Sequence, residues 1–321
     1  MSYTPASNTT QSPGLTHLAT VYYNREGLDV LRQMNRFMGV CEPDNIPARS
    51  GKTVQWYRYS TLAANTSPSA EGVVGNGLAL TTTTVSATAD QYSDFASVSR
   101  LLKITAIDDI VTNIARELSY RASISVDTIV RTEFDANSLS NTATAGSYFA
   151  RQDVVNAVGR LKAINVMPKG DGNFAGIIHP YITIDLMSDN TAGGFIELSK
   201  YTKNMAGDYP TMGEVGMCAG VRFFESTNVG TSGSAPNVLY KTYIVGKGAV
   251  GAVNLAGAGP KEVVDPSKQM FKLNIIDAAP SAADPEGQIS SYVSYWFAFA
   301  VKTLDTTNYR YQYITCDSSI V

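Results

Sequence analysis

IDDIVTNIARELSYRASISVDTI, residues Ile107 to Ile129, carries apolar side chains at Ile107, Val111, Ile114, Leu118, Ala122, Val126 and Ile129, always three or four residues apart. That spacing places them on one side of an α-helix. Asp108 and Asp109 stand at its start, where a carboxylate accepts the free amide hydrogens of a first turn, so the pair is a cap before it is an acid/base couple. Neither Gly nor Pro intervenes before Gly146, which predicts ~25 residues of helix, about 40 Å at a rise of ~1.5 Å per residue. With a single apolar stripe, such a helix lies along a surface instead of running through a core.

Upstream the period changes from helical to two. KTVQWYRY, Lys52 to Tyr59, and TTTTVSATADQYSDFASVSR, Thr81 to Arg100, are rich in β-branched and aromatic residues, as strands require. A stretch rich in Pro, Gly, Ser and Asn joins them, which predicts a hairpin projecting on the order of 30 Å at ~3.3 Å per residue. A lone two-stranded ribbon is marginal in water, so it needs something to lie on. Further upstream, Leu28, Leu31, Met34 and Met38 predict a helix over Val21 to Met38, stopped by Gly39, Pro43 and Pro47.

Downstream the pattern is mixed. A helix is predicted over Gln152 to Asn165, then a GDG turn at Gly170 to Gly172, a strand Phe174 to His179 and a helix Pro180 to Met187. A long Gly and Asn rich connection precedes strands at Gly220 to Glu225 and Val238 to Val245. Phe271 to Ile276, Ser290 to Val301 and Tyr309 to Thr315 close the chain as β structure, the last with strict alternation of Tyr309, Tyr311 and Tyr313.

Charged residues are 17% of the 321, against roughly a quarter in an ordinary soluble domain. The deficit is local: Met1 to Asn24 and Ala136 to Ala150 carry no charge, and Ser60 to Ala89 carries only Glu71. Interface cores are depleted in charge, and Ser/Thr loops are equally neutral, so composition leaves both readings open. A net charge of −3 speaks against a protein whose affinity rests on neutralising phosphates. Cys41, Cys218 and Cys316 are odd in number and far apart, without a CxxC, which points to buried free thiols of a reducing compartment. No apolar run approaches the ~20 residues of a membrane span, and no secretory leader is legible.

Few residues invite chemistry. Gly246, Gly248 and Gly251 in GKGAVG fit GxGxxG after a strand, with Asp265 downstream, but Ala249 to Pro260 is too short and glycine-rich for the helix that must cap a pyrophosphate. A glycine-rich bend is the better reading. Gly51, Lys52 and Thr53 resemble the end of a phosphate loop, yet Ile46 stands where its first glycine belongs. Of two histidines, His17 lies in the neutral N-terminal stretch and His179 precedes Pro180 at a strand end, where a structural hydrogen bond is expected. The aromatics around Trp296 lack interleaved Lys and Arg, so core packing is favoured over base stacking. No catalytic, cofactor-binding or metal-binding residue is assigned.

The order of neutral arm, hairpin, long one-sided helix, α/β lobe and returning β segment resembles the major capsid protein family of tailed bacteriophages. IIHPYITIDL (Ile177 to Leu186), GEVGMCAGVRFFES (Gly213 to Ser226), GKGAVG and DPEGQISSYVSYWFAFAVKTL (Asp284 to Leu304) look like the apical and C-terminal motifs of one subfamily. The resemblance implies an α+β capsid fold with an N-terminal arm (1–48), an extended β-hairpin loop (49–100), a peripheral domain with a spine helix (101–176), an apical domain (177–262) and a returning peripheral segment (263–321). It implies a non-enzymatic subunit, without cofactor, that assembles with itself into pentamers and hexamers around double-stranded DNA. The hairpin would lie over an adjacent subunit. Scaffolding, portal and decoration proteins are the implied partners, with no membrane and no sequence-specific DNA binding; the location is the virion, after assembly in the bacterial cytoplasm. A separate scaffold is expected because the organised pattern begins within the first forty residues. Some relatives weld subunits by an isopeptide bond from a loop lysine, whereas here no lysine occurs from Thr53 to Leu102. A β-rich receptor-binding or decoration protein is the alternative, against which the capped long helix argues.

Overall fold

The computed structural model describes residues 36–47, 50–68, 71–72, 77–106, 108–136, 141–142, 148–170, 172–188, 214–234, 237–255, 272–280, 284–306 and 308–319. Most of the helix expected over Val21 to Met38 lies outside them. Phe37–Val40 is a single 3-10 turn, after which come strands β1 (Glu42–Ile46), β2 (Thr53–Tyr59), β3 (Thr82–Thr88) and β4 (Asp90–Ser99). Helices α1 (Arg100–Thr105) and α2 (Ile110–Ala136) follow, then β5 (Asn141–Thr142), α3 (Arg151–Ala163), β6 (Phe174–Ile178) and α4 (Pro180–Ser188). The remainder is β7 (Glu214–Cys218), β8 (Val221–Glu225), β9 (Thr231–Ser234), β10 (Asn237–Val245), β11 (Val250–Leu255), β12 (Lys272–Asp277), β13 (Ile289–Thr303) and β14 (Tyr311–Cys316).

Helix α2 starts as its sequence dictates. Asp109, just ahead of it, accepts the Thr112 amide at 3.4 Å and the Thr112 hydroxyl at 2.6 Å. These bonds from Thr112, side chain first, hold the Asp109 carboxyl below its ordinary range. The helix runs for 27 residues and buries Leu118, Ala122, Val126, Val130 and Phe134. At ~1.5–3 kcal/mol for each fully buried large apolar side chain, this stripe outweighs the helix's modest intrinsic propensity.

Two sheets receive that stripe. In a five-stranded sheet, β13 pairs antiparallel with β11 and β12 along one edge and with β4 along the other, and β1 runs parallel to β11. Its odd-numbered residues Val293, Tyr295, Phe297 and Phe299 share a core with the helix. A seven-stranded sheet in the order β5-β14-β10-β6-β8-β7, with β9 beside β10, is covered on both faces. Ala175, Ile177, Tyr243, Val245 and Tyr311 pack toward α2, while Phe174, Ile178, Val221, Phe223, Ile244 and Ile314 pack with residues of α3 and α4. The tyrosine alternation in β14 therefore does not mark a half-exposed strand, because the positions between are buried on the other face.

Two further expectations change. The β pattern from Thr81 to Arg100 is not one hairpin strand: it breaks at Ala89, so that only β3 pairs with β2 while β4 joins β13. The ribbon is thus seven residues long on each side, about 23 Å at ~3.3 Å per residue. Val250 to Leu255, read as part of a flexible glycine-rich bend, is strand β11. Apolar burial on both faces leaves it no alternation by which to be seen.

Candidate functional site

The residues that invited chemistry are committed to structure. Gly248, at φ +66, donates its amide to Glu42 Oε1 at 3.1 Å, and Gly246 donates to the Arg310 carbonyl at 2.9 Å. The loop therefore presents a carboxylate where a phosphate would need donors, and a strand follows it. Asp265 and His17 lie outside the described residues. His179 Nδ1 accepts the Tyr181 amide at 3.2 Å, and its ring stacks on Tyr240 at 4.3 Å between centroids. Burial pushes its pKa down, which keeps the imidazole neutral. Gly51, at φ +87, is a turn residue ahead of β2.

Cys41, Cys218 and Cys316 are free and buried. Burial pushes the thiols of Cys41 and Cys316 up to about 12, and a buried thiol is a poor nucleophile. Among the described residues no group of three or more His, Cys, Asp or Glu could hold a metal ion, and no helix is long and apolar enough to cross a membrane.

Sequence reasoning missed two carboxylates of α2 that face the body, Asp127 buried and Asp135 partly buried. Asp127 accepts the Phe37 amide at 2.8 Å and the Asn228 side chain at 2.9 Å, which ties the start of the described chain to the helix. Asp135 accepts Lys241 Nζ at 2.8 Å and the Tyr243 hydroxyl at 2.7 Å, and that hydroxyl accepts the Gly230 amide at 3.1 Å. The available signal was position: Asp127 adjoins the apolar stripe, between Val126 and Val130.

Two surfaces expose aromatic side chains. On β13 the even-numbered residues point away from α2. Trp296, Ser294 and Tyr292 align through the strand register with Ser93, Phe95 and Ser97 of β4, and Tyr292 aligns with Ile276 of β12. Phe95 is 65% exposed and Ile276 55%; the Phe95 and Tyr292 rings lie 6.3 Å apart, over a shallow groove of about 600 Å³. The second surface is the ribbon. Thr53, Gln55, Tyr57 and Tyr59 point outward beside Thr82, Thr84, Ser86 and Thr88, with Tyr57 and Tyr59 each 65% exposed.

With its long helix shared by two sheets and its ribbon, the chain is similar over nearly its whole length to several solved structures. A chain from the capsid of cyanophage P-SCSP1u matches with a TM-score of 0.69 at 14% identity, over 99% of this chain and 100% of that one. The capsid of Ralstonia phage GP4 matches at 0.68 and 13%, over 97% and 98%. The fold is that of phage capsid subunits. The head structure of Helicobacter pylori bacteriophage KHP40 agrees, at 0.67 and 13% over 98% and 99%. No protein-family model and no curated protein matches the sequence.

Proposed function

We propose that this chain is the structural subunit of a phage head and that it assembles with itself, as pentamers and hexamers, into an icosahedral shell enclosing double-stranded DNA. The observation that carries the reading is the pair of exposed, aromatic-bearing surfaces on a capsid fold. An exposed sheet face bearing Trp296, Tyr292, Phe95 and Ile276 is the composition of a contact core. The ribbon's outer face of Tyr and Thr has matching chemistry, which supports the ribbon lying over a neighbouring copy. In this reading residues 1–48 form the arm, the β2–β3 ribbon is the extended loop with β4 returning to the body, 101–176 with 263–321 form the peripheral domain, and 177–262 the apical domain. The subunit works without catalysis or cofactor, with scaffolding, portal and decoration proteins as partners; it is assembled in the bacterial cytoplasm and resides in the virion. A net charge of −3 suits a wall that encloses DNA without neutralising it.

Electron microscopy of the protein expressed alone and together with the phage's scaffolding protein tests this. Closed shells, or curved sheets that become closed shells with the scaffold, are expected. Particles that stay monomeric, or that form fibres, under both conditions would overturn the assignment.

A further inference from the structure

The ribbon touches the rest of the chain in two unlike ways. At its root Val54 and Trp56 of β2 and Ala87 of β3 pack with Ile46, Val253 and Ala300. The Trp56 ring crosses Gly251 so closely that a Cβ there would lie 2.9 Å from it. Two residues beyond Trp56, and on the same face because strand side chains alternate, Arg58 pairs with Asp305 in the turn after β13. Beyond the root the ribbon does not sit on the body. A cleft of about 820 Å³ opens there, with Arg58 to Thr61 on one wall and Met167, Lys247 and Arg310 on the other.

The two partners of this ion pair are unequally placed. The Asp305 side chain is only 7% exposed, and a buried carboxylate stripped of its partners is strongly unfavourable. Yet Asp305 has other partners: Arg310 Nε lies 3.8 Å from Oδ2, and the Asn308 amide donates to Oδ1 at 3.0 Å. Arg58, at 37% exposed, needs only a short movement to reach water. Separation therefore leaves neither charge stranded, unlike the usual buried pair.

We propose that Arg58–Asp305 is a latch that sets the angle of the ribbon to the body. Closed, it inclines the ribbon over the cleft. Open, it lets the ribbon turn about the Trp56 root, and the direction in which Tyr57 and Tyr59 face changes with it. The device belongs to the single chain and holds whether or not the chain assembles.

Hydrogen exchange on the soluble full-length chain, at low salt and at about 1 M salt, decides it for wild type, Arg58→Met and Arg58→Lys. In wild type, peptides covering 53–59 and 82–88 should exchange about two- to fivefold faster at high salt, the scale of a partly exposed ion pair. Arg58→Met should be fast at both salts and lose the salt step; Arg58→Lys should keep part of it. Strands β4 and β13 should stay equally protected throughout, which distinguishes an opened latch from a loosened fold. A wild-type ribbon indifferent to salt, or a salt step that persists in Arg58→Met, would overturn the latch.

Discussion

Single side chains decide how the two sheets are held on α2, and two of them make measurable predictions. Burial, opposed by bonds from Asn228 and the amides of residues 36 to 38, leaves Asp127 with a pKa above the ordinary 3.8. The native state therefore holds this proton more tightly than the unfolded chain does. The residue's contribution to stability is complete below 3.8 and is lost as pH rises through the raised native value. Relative to Asp127→Asn, wild type should gain stability as pH is lowered from neutrality toward 4, read as urea midpoints of both proteins across that window; a constant difference would show that Asp127 keeps its ordinary pKa. Tyr243→Phe removes the hydroxyl that bridges Asp135 and the Gly230 amide. It should lower stability by about 1–3 kcal/mol, the scale of a buried donor left without an acceptor, with the fold intact because Asp135 keeps Lys241. These roles were not legible in sequence. An Asp beside an apolar stripe looks the same whether it faces water or clamps a distant backbone amide, and only the long-range pairing decides.

Elements were legible where their period was clean and hidden where burial erased it. Helix α2 shows itself because one face is apolar and its start is capped. Strand β11 does not, because both its faces are buried and Gly251 interrupts it. The break at Ala89 was equally invisible, since β3 and β4 follow one another without a Gly or Pro between them and are told apart by the strand each pairs with. Gly251 explains why the ribbon leaves the body where it does: without a side chain, β11 lets Trp56 cross it. Gly251→Ala would place a methyl 2.9 Å from Trp56 and from Leu304, so the ring must lift. The expected cost is about 1–3 kcal/mol, as for an overpacked core. With Trp296 replaced by Phe, Trp56 is the single tryptophan left of two, and its emission should shift to the red in Gly251→Ala. An unchanged spectrum would mean that the ribbon root rearranges without exposing the ring.

At the scale of the whole molecule, the sequence pattern foretold a ribbon followed by a long one-sided helix and then mixed helices and strands, while the sharing of α2 between two sheets emerges only from strand pairing that spans more than two hundred residues, as between β1 and β11. That arrangement bears on how the proposed shell would be held together. The isopeptide welding that the family resemblance raises needs an amine carried out on the ribbon. From Thr53 to Leu102 there is no lysine, and Arg58 and Arg100 cannot substitute because a guanidinium stays protonated. The flanking lysines do not reach either. Lys52 sits at the root, where its carbonyl accepts the Ala89 amide at 2.8 Å, the length of β2, about 23 Å, from Tyr59. Lys103 is drawn back to the body, 3.4 Å from Asp277 and 3.2 Å from Ser291. In the proposed shell, cohesion would then come from apolar burial summed over large contacts at ~25 cal/mol per Å², for which the face of Trp296, Tyr292 and Phe95 is the candidate. Mature particles boiled in detergent under reducing conditions should run as a single band at 34.4 kDa. A ladder of covalent oligomers would require a lysine elsewhere to reach a neighbour, and mass spectrometry of the cross-linked peptides would identify it.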